Sequence, residues 1–231
     1  MPSYDVTVVG TVGRDLALRV DALPGPGESV RVLERREQAG GKGAGIAVAA
    51  GRHGARVALV GVVGSDRDGA DVCDQLTSER VDIRHVIHRE GAATPLLVDL
   101  LNMAGGHGTR HRLAHLPDEA QLTPADLDTV AEPVTDTSAL IISLQTPARA
   151  AAAAASRAQE SGAWVVLDGA PDDPEYRGVL LDLADVVHAD VRDAHTLAGR
   201  PLWTVEDAAE AARDLLDSGP SLVALGVLDQ G

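Results

Sequence analysis

The chain has 231 residues, 45% of them hydrophobic and 24% charged, with a formal net charge of -15 at pH 7. That length suffices for one large domain with its own core. The acidity speaks against nucleic acid as a partner, because binding a polyanion needs a basic surface that releases counterions. No apolar run is long enough to cross a bilayer, so no membrane partner is expected. The N-terminus lacks a basic flank followed by an apolar stretch and shows no secretion signal. The single Cys73 allows no internal disulfide, which fits a reducing cytoplasm, and reads as a half-buried helix residue.

In chain order, the β-branched runs 4–9, 56–63, 138–144, 163–167, 184–187 and 222–225 predict buried strands, with amphipathic helices between them. Thr146-Pro147 supplies a cap and a proline at the first helical position for the Ala150–Ala155 run, which stops at Gly162. Thr204 with Asp207 three residues later forms a capping box, and Gly219-Pro220 ends that helix. The alternation predicts an α/β fold with a mostly parallel sheet, whose ligands sit at the carboxyl ends of the strands.

Two regions break the alternation. Residues 16–20 and 29–37 flank a Pro/Gly turn, and 96–101 with 109–113 flank Ala104-Gly105-Gly106-His107-Gly108; all four read as period-two strands of a small separate sheet. Formed by about 12–38 and 94–114 within a single domain 1–231, this appendage is placed to act as a lid.

The densest signal is Gly40-Gly41-Lys42-Gly43-Ala44-Gly45, which encloses the only lysine of the chain and opens an Ala-rich helix. Such a turn either brings backbone close to a ligand or simply joins a strand to a helix. Two generic nucleotide motifs fail. Gly10-Thr11-Val12-Gly13 lacks the G-x-G-x-x-G spacing and precedes a strand, and a phosphate loop would need glycine at Arg36 and Ser or Thr at Gly43. The first failure disfavours an NAD-binding oxidoreductase.

Taken together, several short motifs resemble the ribokinase-like, or PfkB, family of carbohydrate kinases over essentially the whole length. They are Val9-Gly10-Thr11-Val12 with Asp15, Leu23-Pro24 and Pro26-Gly27-Glu28, the glycine loop at 40–44, and residues 51–55. Gly61-Val62-Val63-Gly64-Ser65-Asp66 with Gly69, Leu122-Thr123-Pro124-Ala125-Asp126 and Ala184-Asp185-Val186-Val187 follow in order. The resemblance implies a nine-stranded-type α/β body with a β lid, ATP-dependent phosphorylation of a sugar, nucleoside or related alcohol, Mg²⁺, and homodimers that pair through the lids. Lid strands with exposed edges and alternating Val30, Val32 and Leu33 fit such pairing.

Carried over by position, the resemblance gives Asp15, Gly40, Gly41, Lys42, Gly45 and Gln145 to the substrate, and Asp190, Asp193 and Gly226 to the nucleotide and its phosphates. An ionised Asp15 can accept two hydroxyl hydrogen bonds. Lys42 either lines the pocket or pairs with an acid at the surface. Asp190 and Asp193, one helical turn apart, suit a hydrated Mg²⁺ or merely make an acidic first turn. The chain departs from the family at Gly13 and Gly45, where asparagine is common, at Gln145, where glutamate is common, and at Asp190-Val191-Arg192-Asp193, which replaces N-x-x-E. Ribose itself therefore becomes doubtful as the substrate.

The family's G-A-G-D motif, with its general-base aspartate and anion hole, does not occur in these 231 residues. The expectation is the front part of a kinase that binds substrate weakly and turns over negligibly; the alternative is a catalytically inactive sugar-binding remnant. Were the chain active, Asp168 or Asp190 would be the first candidates for the base. His107, His111 and His115 recur at four-residue spacing but carry no metal expectation around a glycine loop. Arg110 and Arg112 read as solvated strand ends or as groups that reach a substrate phosphate, and Trp164 and Trp203 as packing residues.

Overall fold

The computed structural model describes residues 1–102 and 108–227. Its main sheet has eight strands, β1 (Tyr4–Val9), β4 (Val57–Gly64), β5 (Val81–Asp82), β6 (Val86–Arg89), β9 (Thr137–Ser143), β10 (Trp164–Asp168), β11 (Val186–Ala189) and β12 (Leu222–Leu225). They run in the order β12-β11-β10-β9-β1-β4-β5, with β6 also on β4, and every pairing is parallel. All eight residues of β4 are buried, as a central strand covered on both faces requires.

Helices α1 (Lys42–Arg52) and α2 (Arg67–Ser78) cover one face and α5 (Ala148–Glu160), α6 (Arg177–Leu183), α7 (Val191–Ala198) and α8 (Val205–Leu216) the other. The strand period of two sorts the core: Val8 and Leu59 pack with α1 and α2, Val9 and Val60 with the opposite layer. In α5 the buried positions are all alanine, which lets that helix lie close against the sheet. Two short helices missed by the sequence, α3 (Asp126–Thr129) and α4 (Ala131–Thr135), close the edge of that layer around Leu127 and Val134.

The capping box of α8 is present, with Thr204 and Asp207 bonded reciprocally. The start of α5 is corrected: Pro147 occupies the N-cap itself, and the Ala148 N–H donates instead to the Asp172 carboxylate at 3.0 Å. Cys73 is fully buried on α2, and burial raises its thiol pKa. Trp164 and Trp203 do not pack in the core; they are 58% and 62% exposed, and the Trp203 ring meets the His195 ring in an edge-to-face arrangement.

Strands β2 (Gly13–Val20), β3 (Val32–Gly40), β7 (Leu96–Asn102) and β8 (Thr109–His115) form the separate small sheet, ordered β3-β2-β7-β8. It is mixed: β2 runs antiparallel to β3 but parallel to β7. The loop at 104–107, with His107, lies outside the described residues. An ion pair from Arg14 to Asp68 and a 2.7 Å bond from the Ala39 N–H to Gln75 tie this sheet to α2, while Arg14 also pairs with Glu37 within the sheet.

Candidate functional site

Parallel strands point their carboxyl ends to one rim, and of the sequence-derived site residues Gln145, Asp190, Asp193 and Gly226 follow such ends. Gly10 follows β1, Gln145 follows β9, and Asp190 follows β11; Asp168 is the last residue of β10. The small sheet leaves this rim at β2 and returns at α1 through Gly41. Between sheet and rim lies a cavity of about 530 Å³, lined by Asp15, Leu97 and Arg112 from the small sheet, Gly41 and Lys42 at the start of α1, and Gln145. Asp190, Arg192 and Asp193 of the α7 start complete it.

The glycines of this region first serve the protein's own backbone. A Cβ on Gly43 would stand 2.6 Å from the carbonyl carbon of Gly10, and one on Gly41, whose φ is 89°, would stand 2.4 Å from the Thr11 carbonyl oxygen. Gly40 borders Asp15 rather than the cavity. Gly45 is exposed on α1 with nothing within 4 Å of its built Cβ, and it does not line the cavity. Gly13 has no room for a side chain, since its Cβ would meet the Pro95 oxygen at 2.4 Å. Gly226 presses on the first turn of α7, with a Cβ placed 2.7 Å from the Val191 nitrogen.

Asp15 Oδ1 is the one buried side-chain polar atom without a hydrogen-bond partner among the described residues. Burial raises the Asp15 pKa above the ordinary carboxylate value; the Arg112 guanidinium and the Gly41 amide oppose the shift, and Asp99 adds to it. Arg112 is itself held by both oxygens of Asp99, at 2.8 and 2.9 Å.

Lys42 is an inward group rather than a surface one. Its ammonium lies 3.2 Å from Asp168 and 3.5 Å from Asp193, with 25% of the side chain exposed. Asp168 is buried and meets the His188 ring nitrogen Nδ1 at 2.7 Å through its other oxygen. Gly169, at φ 113°, leaves the space in which Lys42 and Asp193 meet. Asp193 has its pKa raised by burial and by the neighbouring Asp190, against the pull of Lys42. Asp190 is the N-cap of α7 and accepts from the Asp193 N–H at 3.0 Å.

The two aspartates are thus together at the rim but already engaged. Among the described residues no group of three or more His, Cys, Asp or Glu side chains is gathered to hold a metal. His111 and His115 lie exposed on β8, and four residues along a strand separate them by about 13 Å. Sequence reasoning assigned no role to Leu97, His188 or Arg192; the strand-end rule could have flagged His188, Arg192 lies inside the stretch Asp190–Asp193 matched by position, and Leu97 follows no motif.

A sheet of this order with a small mixed sheet across its carboxyl rim defines the ribokinase-type α/β fold. The family model described as pfkB family carbohydrate kinase matches residues 3–226, and the chain belongs to that family. Among curated proteins it is 27% identical to ribokinase of Haemophilus influenzae over 223 residues, covering 93% of this chain and 69% of that one. It is 31% identical to 1-phosphofructokinase of Rhodobacter capsulatus, covering 85% and 62%. Among solved structures, one titled "Crystal Structure of Sa239" superposes with a TM-score of 0.84 at 24% identity, covering 99% of this chain and 75% of that one. Arabidopsis thaliana ribokinase complexed with ribose and ATP does so with a TM-score of 0.78 at 22% identity, covering 96% and 72%. No helix among the described residues is long and apolar enough to cross a membrane.

Proposed function

We propose that this chain belongs to an ATP-dependent kinase that phosphorylates a hydroxyl group of a sugar, nucleoside or related alcohol in the cytoplasm. The observation that carries the reading is Asp15, which lines a 530 Å³ cavity and whose Oδ1 has no hydrogen-bond partner among the described residues. An acceptor left bare in the free protein gains a partner when a substrate hydroxyl arrives, and it rejects analogues that lack one. Membership of a carbohydrate kinase family, and the names of the ribokinase and phosphofructokinase relatives, support the same class of substrate.

In this reading Asp15 and the Gly41–Lys42 turn orient the acceptor, with Gln145 at the cavity edge and the small sheet acting as a lid that keeps water out. Asp190, Asp193 and Gly226 form the donor side. ATP, when bound, supplies the transferred phosphoryl group, and Mg²⁺ would travel with its phosphates, for which one or two carboxylates suffice. No residue of the cavity is assigned as general base. Two copies pair through their small sheets, whose Leu33 and Leu113 are exposed.

Calorimetric titration with hexoses, pentoses and nucleosides, with Asp15→Ala beside the wild type, tests the binding role. Equal affinity of both for the best ligand would remove Asp15 from the site. ATP consumption with the same panel tests transfer, and binding without any transfer would favour the sugar-binding remnant. Sedimentation at micromolar concentration tests the dimer, which a monomer alone would refute.

A further inference from the structure

The cavity side of the small sheet carries more positive charge than its acids cancel. In the strand register Asp15 lies beside Leu97, and Leu97, Asp99 and Leu101 of β7 share a face with Arg112 and Arg110 of β8. Asp15, Leu97 and Arg112 all line the cavity, so this face looks inward. Among the described residues Asp99 is the one acid on that face of β7 and β8, and it serves two cations. Arg112 donates to both of its oxygens, at 2.8 and 2.9 Å, and Arg110 reaches Oδ2 at 2.8 Å. One carboxylate offsets one guanidinium, so the pair keeps a net positive charge. The imbalance recurs on the same face of β2 and β3, where Arg19 and Arg36 share Glu34. In a chain of net charge -15, this excess runs against the overall sign.

We infer that the acceptor substrate is itself an anion, and that Arg112, with Arg110 beside it, binds a phosphate group on that substrate while Asp15 accepts one of its hydroxyls. This rests on the kinase reading above and narrows its substrate class. A cross-strand ion pair that merely stabilised the sheet would need one arginine opposite Asp99, not two. Arg112 spends Nε and Nη2 on Asp99, and its Nη1 donates to no acceptor among the described residues. Arg112 also stands near enough to Asp15 to pull that carboxyl's pKa down against the effect of burial, so one small molecule can meet both groups. Because Arg112 belongs to the sheet that carries Asp15, and not to the strand ends that carry Asp190 and Asp193, the anion is assigned to the acceptor and not to the phosphoryl donor. A phosphate monoester has nearly two charges and three terminal oxygens for two guanidinium forks, whereas a carboxylate has two oxygens that one fork fills.

The test titrates fructose, ribose, fructose 1-phosphate, fructose 6-phosphate, ribose 5-phosphate, gluconate and ATP into the wild type, Arg112→Ala and Arg112→Lys, with thermal unfolding as a check on folding. The wild type should bind at least one sugar phosphate roughly 10-fold or more tightly than its parent sugar. Arg112→Ala should weaken that sugar phosphate by roughly 10- to 100-fold, with partial recovery in Arg112→Lys, which keeps the charge and loses the fork. Neutral-sugar and ATP affinities should stay within about twofold. A ratio of two ligands on one protein is not mimicked by partial loss of folding. Neutral sugars bound as tightly as their phosphates by the wild type would overturn the inference and leave the kinase reading standing. A phosphate preference undiminished in Arg112→Ala would overturn the role of Arg112, and gluconate preferred to every sugar phosphate would overturn the choice of phosphate. ATP weakened in Arg112→Ala, with sugar phosphates unchanged, would overturn the assignment to the acceptor. A wild type that binds neither sugars nor sugar phosphates would overturn the kinase reading itself.

Discussion

Gly40 and Asp15 share one space: a Cβ built on Gly40 would lie 2.1 Å from Asp15 Cγ and Oδ1. The missing side chain of one strand is therefore what seats the carboxylate of the next. Gly40→Ala should displace Asp15, abolish measurable substrate binding and lower stability. Gly45→Ala, at an open position within α1, should raise stability by about 0.5–1 kcal/mol, since helical glycine carries an entropic cost that alanine does not. Denaturant unfolding of both variants checks the opposite signs; two losses or two gains would refute this account of the glycines.

Asp15 should oppose stability while it supports binding. A carboxyl whose folded pKa is raised binds protons more tightly folded than unfolded, so stability falls as pH rises from the unfolded value through the raised one, and the penalty is complete above it. Asp15→Asn should accordingly raise the unfolding midpoint at pH 7 and leave it nearly unchanged at pH 3. Asp15→Ala should cost on the order of 2–4 kcal/mol of substrate binding. Calorimetry and thermal scans across pH read both effects.

Lys42 should act on the acids around it more than on the substrate. Lys42→Ala is expected to cost under about 1 kcal/mol of substrate affinity, less than Asp15→Ala. In a double-mutant cycle on stability, Lys42→Ala and Asp193→Asn should couple by roughly 0.5–3 kcal/mol. Additive losses would show that the 3.5 Å pair contributes nothing.

At the opposite end of the sheet, the Arg84 guanidinium, with the Tyr4 hydroxyl at 2.7 Å, holds Asp82 well below the usual carboxylate range. Tyr4 is pushed up by burial and by Asp82. A depressed folded pKa stabilises fully above the unfolded value and is lost as pH falls through the folded one. Asp82→Asn should therefore be destabilising at pH 7, with a gap that narrows below about pH 4. A gap constant with pH would mean the carboxylate charge is not the cause.

The body was legible because buried parallel strands announce themselves as short apolar runs; Tyr4–Val9 and Leu222–Leu225 match to the residue. The β5 and β6 strands were not, being two and four residues long and only partly buried. In the site, glycine spacing and Asp15 could be read from sequence, but the partner of Lys42 could not. Asp168 and Asp193 lie more than a hundred residues away, and only the strand order brings them to it. The parallel join of β2 to β7 was equally hidden, since period-two segments do not state their direction.

That join sets an order of assembly. Strand β7 aligns beside β2 across the intervening β3, α1, β4, α2, β5 and β6, because a parallel pairing cannot be closed by a tight turn. Loop closure of that length is costly before its contacts form. The small sheet should therefore fold last and open first. Its amides, from Gly13 to Val20 and from Leu96 to Asn102, should exchange hydrogen faster than those of β4. The cavity would then be assembled in the final folding step, so a mutation that weakens only the small sheet would leave a well-folded body with no site.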